Sequence, residues 1–269
     1  MPETIAIGDI ALQTAVGGSG TPLVLLHGFP LDHTMWDAQL DALARRCRVI
    51  APDQRGFGRT PLGRQTLTID TLADDVAALL DAMRIHDRAV ICGLSMGGYV
   101  ALAFHRKFAS QVRALLLCDT RANADTPAGA ADRVALIERV HAAGASAVVD
   151  TMLPKLVAAR AVAQQPLVVE RVRQMMLGTA PATLVAALRA LATRPDATAH
   201  LPRIRVPTLA LVGEHDAITP VAVMNAMADS IPDCRRAVIP GAGHLAPMER
   251  PAEFTAAVLE FLSQPGVLG

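Results

Sequence analysis

Neither sign of charge is in excess in this chain: 25 lysines and arginines stand against 25 aspartates and glutamates. A protein that grips nucleic acid or an anionic membrane surface presents a basic face, so this balance argues against both partners. Lysine is nearly missing, present only as Lys107 and Lys155, which reads as a compositional bias toward arginine without functional weight. The opening Met-Pro-Glu-Thr-Ile has neither a basic stretch nor a long apolar one, so no signal peptide is expected. No run of about 18 apolar residues suggests a membrane span. Cys47, Cys92, Cys118 and Cys234 are far apart and form no CxxC pair, which argues against zinc or redox chemistry and for buried thiols in a reducing compartment. A cytoplasmic protein is expected. Also absent are the GxxxxGK[ST] phosphate loop, a GxGxxG between strand and helix, and HExxH, so no nucleotide or metal site is expected. There is no repeat, low-complexity tract or linker.

What is present is apolar bulk. Hydrophobic residues make up 52% of 269 positions and charged residues 19%, enough for a large buried core. Residues 3–16 read as two strands joined at Gly8-Asp9. Residues 22–27, 48–51, 89–92 and 112–118 are apolar runs of strand length, too uniformly apolar for a strand with one wet face. Between them lie helical stretches at 34–45, with Thr34 as its expected cap, at 68–84, capped by Thr68, and at 96–108. Asp74 and Asp75 fall on the polar side of the second of these and are expected to be solvated. Strand and helix alternate, which predicts an α/β fold with a mostly parallel sheet covered on both faces.

The alternation stops at 119. Four helix-like pieces follow, at 128–143, 145–159, 166–178 and 181–193, punctuated by Gly144, Pro166, Gly178 and Pro181. About 80 residues is too much for one crossover. The segment 119–201 is therefore expected to be an α-helical cap, inserted into a core domain made of 1–118 and 202–269. The sheet resumes at 206–213 and 235–239, with helices at 221–230 and 251–262.

One stretch carries chemistry. Gly93-Leu94-Ser95-Met96-Gly97 sits between the strand at 89–92 and the helix that follows. In that context Gly-x-Ser-x-Gly is a nucleophile elbow: a sharp turn exposes the serine hydroxyl at a helix start, and the flanking glycines keep strand and helix from colliding. A serine hydroxyl needs a base, and the base needs an orienting carboxylate. In open α/β sheets such groups gather at the carboxyl ends of strands. His244 follows the last strand and is the first candidate for the base. His27 is expected to hydrogen-bond loop backbone, and His33 is an alternative base from the next loop. Asp216 follows a strand and precedes His244, giving the order Ser, Asp, His; Asp119 is the second candidate, and Glu214 is a weaker one. Asp53 is expected to tie down its own loop with Arg55. The oxyanion hole is expected from the N–H groups of Met96 and Phe29. Phe29, Trp36, Met96, Met152, Met175, Met176 and Met248 are candidates to line the pocket. Arg121 either anchors a substrate carboxylate or serves as a structural ion-pair partner.

His27-Gly28-Phe29-Pro30, Asp53 to Gly58, Gly93 to Gly98, Gly213-Glu214-His215-Asp216 and Gly241-Ala242-Gly243-His244 together resemble the α/β-hydrolase superfamily, in that family's order and over the whole chain. The residues 31–37 and the elbow are most similar to its enol-lactonase, haloperoxidase-like and small carboxylesterase group. The resemblance implies an eight-stranded sheet with an antiparallel second strand, no cofactor, and a small ester or lactone as substrate. It makes Ser95, His244 and Asp216 a catalytic triad. Serine at 95 argues against the aspartate chemistry of haloalkane dehalogenases and epoxide hydrolases. Leu94 stands where the carbon–carbon bond hydrolases usually carry asparagine. Perhydrolysis needs the same residues as ester hydrolysis, and a ligand sensor on a hydrolase fold remains a reading from another class. The sequence leaves oligomeric state open.

Overall fold

The uniformly apolar runs become the middle of one eight-stranded sheet in a computed structural model that describes residues 2–268. Its strands are β1 (Glu3–Ile7), β2 (Ile10–Gly17), β3 (Pro22–Leu26), β4 (Arg48–Pro52), β5 (Ala89–Leu94), β6 (Val112–Cys118), β7 (Thr208–Gly213) and β8 (Cys234–Ile239). They lie in the order β1-β2-β4-β3-β5-β6-β7-β8. β2 runs antiparallel to both β1 and β4, and every other pairing is parallel. β3, β5 and β7 are buried along their whole length, as strands covered on both faces must be. β5 is central, with Leu26 opposite Gly93 on one side and Cys118 opposite Leu94 on the other. The residues just beyond those positions therefore emerge together at the carboxyl edge of the sheet.

The helices of the core are α1 (Asp37–Ala44), α2 (Ile69–Ala82) and α3 (Met96–Phe108) before the helical segment. α2 starts where expected: Thr68 Oγ1 accepts from the Thr71 N–H at 3.0 Å, and Thr71 Oγ1 returns the bond at 2.8 Å. The start of α1 differs. A 3-10 turn, His33–Trp36, precedes it, and the cap is Asp32, whose carboxylate accepts from the Thr34 N–H at 2.8 Å. Thr34 is held by the cap. Asp75 also departs from expectation: it is 8% exposed, and its carboxylate takes both Nε and Nη2 of Arg55 at 2.8 and 2.6 Å. Bidentate pairing is what permits a carboxylate to be buried there.

Between β6 and β7 lie five helices: α4 (Pro127–Ala143), α5 (Ala145–Leu156), α6 (Ala159–Gln164), α7 (Pro166–Gly178) and α8 (Pro181–Ala192). The short α6 is the addition to the expected four, too brief at six residues to show a period. These helices hydrogen-bond the loops beyond the strand ends. Thr179 Oγ1 donates to the Pro30 carbonyl at 3.2 Å and Thr183 Oγ1 to the Gly56 carbonyl at 2.9 Å. The helical segment thus roofs the carboxyl edge. α9 (Val221–Asp229), α10 (Ala246–Glu249) and α11 (Pro251–Leu262) complete the chain. Among the described residues no single helix is long and apolar enough to cross a membrane.

A histidine pair joins α3 to the 3-10 turn Thr198–Arg203 that follows the helical segment, with His105 Nδ1 2.9 Å from His200 Nε2. Burial, and then the neighbouring His200, pulls His105 down to about 4. Burial and then Arg106 and Arg203 lower His200 as well. A free imidazole titrates near about 6.5, so the folded state rejects a proton that the unfolded chain accepts. The stabilisation from this pair is full above that value and is lost as pH falls from about 6.5 toward about 4. Urea unfolding of wild type and His105→Gln, above and within that window, is expected to show wild type losing more stability on acidification. Equal losses would remove the pair from the acid response.

Candidate active site

β5 ends in a turn that the backbone can make only at a cost. Ser95 sits at φ 54, ψ −112, a left-handed conformation that a non-glycine residue adopts under constraint. Its own backbone is fixed on both sides. The Ser95 N–H donates to the Cys118 carbonyl at 2.9 Å, and Thr120 Oγ1 donates to the Ser95 carbonyl at 2.8 Å. The turn closes because Gly93 and Gly97 have no side chains: a Cβ on Gly93 would lie 2.1 Å from the Gly97 carbonyl oxygen, and one on Gly97 would lie 2.2 Å from that of Leu26. α3 begins at Met96, so the Met96 N–H has no intrahelical acceptor. Among the described residues the Phe29 N–H, in the loop after β3, has no acceptor either. Phe29 and Met96 share a cavity of about 30 Å3 with Ser95 and His244.

His244, 1% exposed, follows β8 and aims Nδ1 at Asp216 Oδ2, 2.8 Å away. Asp216 follows β7 and is itself held: Oδ1 accepts from the N–H groups of Ile218 and Thr219 at 2.7 and 2.9 Å, and Oδ2 from the Thr219 hydroxyl. Burial works against its charge, but His244 and the Thr219 hydrogen bonds outweigh it and hold the carboxyl at about 2. Asp216 is therefore an anion, bound to the imidazole through Nδ1. Asp119, the other candidate acid, lies behind this pair. Its Oδ1 accepts from the Gly213 N–H at 2.8 Å, and complete burial followed by the nearby Asp216 charge pushes it well above the usual carboxylate range. Glu214 instead accepts from the Gly241 N–H at 2.8 Å and braces the loop.

The remaining histidines near the strand ends are engaged elsewhere. His27 accepts from the Gln54 N–H at 3.0 Å through Nε2, with Nδ1 3.1 Å from the Gly28 carbonyl. His33 turns to Asp53, Nδ1 to Oδ1 at 2.6 Å, and does not border the Ser95 cavity. Asp53 also accepts from the N–H groups of His33 and Arg59, both at 2.9 Å, so it does tie its loop, but through these partners, since Arg55 is taken by Asp75. Two clusters have ligand-type atoms within 4.8 Å of one another, Asp32–His33–Asp53 and Asp119–Asp216–His244. In both, most of these atoms already take part in the hydrogen bonds just described, while Asp119 Oδ2 is buried without a partner among the described residues.

The cavity brings together Phe29, Met96, Met152 and Arg121 from the expected set and leaves four residues out. Trp36 is fully buried against Phe254 of α11, ring centroids 6.0 Å apart, because the 3-10 turn points it into the core. Met176 is fully buried, and Met175 takes the Thr34 hydroxyl on its sulfur at 3.4 Å; neither borders the cavity of Ser95. Met248, on α10, packs against the hydrophobic core outside the cavity. Tyr99, Arg133, Leu191 and Ile218 also line it and carry no motif that would have marked them.

Glu249 closes the arrangement. It is 2% exposed, and Oε1 accepts from the N–H groups on both sides of His244, Gly243 at 3.0 Å and Leu245 at 3.2 Å. Its Oε2 accepts from the Ala158 N–H at 2.8 Å, at the junction of α5 and α6. Burial raises its pKa against these three bonds. Glutamine supplies only one acceptor oxygen and would turn an NH2 toward a backbone N–H. Glu249→Gln is expected to lower kcat by roughly 10–100-fold through a misplaced His244, with a smaller change in KM. A kcat within twofold of wild type would remove the positioning role.

A family model described as the alpha/beta hydrolase fold matches residues 21–251. Among solved structures, a thermophilic esterase from Thermogutta terrifontis, with malate bound, is 43% identical, with 97% of this chain and 98% of that one covered and a TM-score of 0.94. The enol-lactonase from Burkholderia xenovorans is 28% identical, covering 97% and 100%, with a TM-score of 0.90. The 3-oxoadipate enol-lactonase 1 of Acinetobacter baylyi is 29% identical over 232 residues, 86% of this chain and 85% of the relative.

Proposed function

The chain belongs to the α/β-hydrolase family, which supports hydrolysis as its chemistry, and on that premise we propose that it cleaves carboxylic esters or lactones through an acyl-enzyme on Ser95. The observation that carries the reading is the left-handed Ser95 bordering one cavity with His244, whose Nδ1 is held by the Asp216 anion. Ser95 Oγ attacks the carbonyl carbon while His244 Nε2 takes the hydroxyl proton. Asp216 holds the Nδ1–H side and stabilises the imidazolium. The oxyanion is received by the N–H groups of Met96 and Phe29, neither of which has another acceptor among the described residues. When the tetrahedral adduct collapses, His244 returns its proton to the departing alkoxide. Water, deprotonated by His244, then attacks the acyl carbon, and the second collapse releases the acid and restores Ser95.

The esterase and lactonase relatives support this substrate class for the chain. The test is a chain-length series of p-nitrophenyl esters beside a set of lactones, with Ser95→Ala as control. Many turnovers that disappear in the variant are the expected result. No turnover of either series by folded protein would overturn the reading and favour a ligand-binding role.

A further inference from the structure

The cavity beside Ser95 is apolar on most sides, yet two guanidinium groups, Arg121 and Arg133, enter its wall, and no carboxylate lines it. Both lean on one buried anion. Asp125, whose side chain is 3% exposed, faces three arginines: Arg133 through Nε, Arg194 through Nη1 at 2.8 Å, and Arg121 through Nη2 at 3.6 Å. Burial opposes its charge, but Arg133 and Arg194 outweigh that and keep it ionised.

The three arginines are not equally satisfied. Arg194 also donates to the carbonyls of Leu191 and Asn123 at 2.8 and 2.9 Å and stacks over the Tyr99 ring at 4.3 Å. Its buried Nε, like that of Arg121, has no partner among the described residues, but its other contacts hold it in place and its work is structural. Arg133 has a charge-assisted bond to Asp125. Arg121 has only the 3.6 Å contact, beyond hydrogen-bond reach, and its buried Nε has no partner. Asp196 accepts instead from the Thr198 and Ala124 N–H groups at 2.8 and 3.1 Å, and among the described residues no carboxylate other than Asp125 pairs with Arg121. A guanidinium with a desolvated, unbonded N–H is unfavourable until an acceptor arrives, and a planar carboxylate matches its fork.

Arg121 borders three spaces: the small cavity with Ser95 and His244, another small one with Tyr99, Asp70 and Asp196, and one of about 430 Å3 lined by Asn123, Asp125, Thr126 and Met227. The first has room for about one or two water molecules, so a whole ester cannot lie inside it, and Arg121 stands on its wall.

We propose that Arg121, backed by Arg133, is a carboxylate-binding subsite, and that the substrate is an ester or lactone bearing a second, free carboxylate. This inference rests on the hydrolase reading above. It predicts a charge preference, measured as the ratio of kcat/KM for a carboxylate-bearing ester to that for its neutral amide isostere. Two series cover both sides of the ester: half methyl esters of succinate, glutarate and adipate, and acetyl esters of short hydroxy acids. Wild type is expected to favour the anionic member of at least one series by about tenfold or more, the scale of one charged hydrogen bond. Arg121→Gln is expected to erase that preference, Arg133→Gln to reduce it, and added salt to raise KM for the anionic ester selectively. Because a ratio is read, a general loss of activity in a variant cancels. If Arg121→Gln fails to fold, the wild-type ratio and its salt response decide. Hydrolysis of neutral esters with no anionic preference in either series would overturn the subsite and leave the hydrolase reading standing. Hydrolysis of nothing, charged or neutral, would remove both.

Discussion

Ser95→Ala is expected to lower kcat/KM for the best ester by about 10⁴–10⁶-fold while leaving the unfolding midpoint close to that of wild type. The size follows from the way the groups act as a unit. Without Oγ no acyl-enzyme can form, and only direct attack by water, unpositioned for the intact ester, remains. His244→Ala should fall into the same range, because an unassisted hydroxyl is almost unreactive at neutral pH. The double variant should be no worse than either single one. Multiplicative losses in the double variant would mean that serine and histidine act separately, which the acyl-enzyme mechanism forbids. The stability half of the expectation has its own ground: Ser95 holds its place through main-chain N–H and carbonyl, bonded to Cys118 and Thr120, which alanine keeps.

Gly97→Ala should do the reverse, damaging the fold first. The added Cβ would sit 2.2 Å from the Leu26 carbonyl oxygen and 2.7 Å from its carbon. Those are backbone atoms of β3 and cannot move aside as a side-chain tip would. Overpacking against backbone costs about 3 kcal/mol or more, which in a chain of this size lowers Tm by roughly 6–12 °C. Gly129 in α4 is the contrast. Its nearest neighbours are at 3.5 Å or more and its φ is ordinary, so Gly129→Ala should be neutral or stabilising by about 0.5–1 kcal/mol. Differential scanning calorimetry of the two variants decides; equal midpoints would mean the elbow has slack that its packing does not suggest.

The sheet and the serine loop were legible because their signals are local. A strand buried on both faces has no choice but an apolar run, and a turn at φ 54 flanked by close backbones has no choice but glycine at 93 and 97. The groups that escaped are those whose meaning depends on a distant partner. Asp75 looks like Asp74, its neighbour on a helix, until Arg55 arrives from 20 residues away. Trp36 and the methionines of α7 share the composition of a pocket wall, and only the twist of the 3-10 turn and of α7 sends them into the core. Arg133 reads as one more charge on a surface helix. Its place beside Ser95 is set by Asp125, which in turn is set by Arg194. Glu249 carries no motif at all, since its partners are three backbone N–H groups.

That carboxylate also limits how this scaffold can be rebuilt. Grafting a foreign set of helices between β6 and β7 is an obvious route to new specificity, because the graft would appear to need only matching ends. Glu249 Oε2 reaches outside the core to the Ala158 N–H in the middle of the exchanged segment. A chimaera whose replacement lacks a main-chain donor at that point would strand half of a buried anion beside the loop of His244. Chimaeras that include a donor there, or that change Glu249 together with the graft, should fold and turn over where end-matched ones do not.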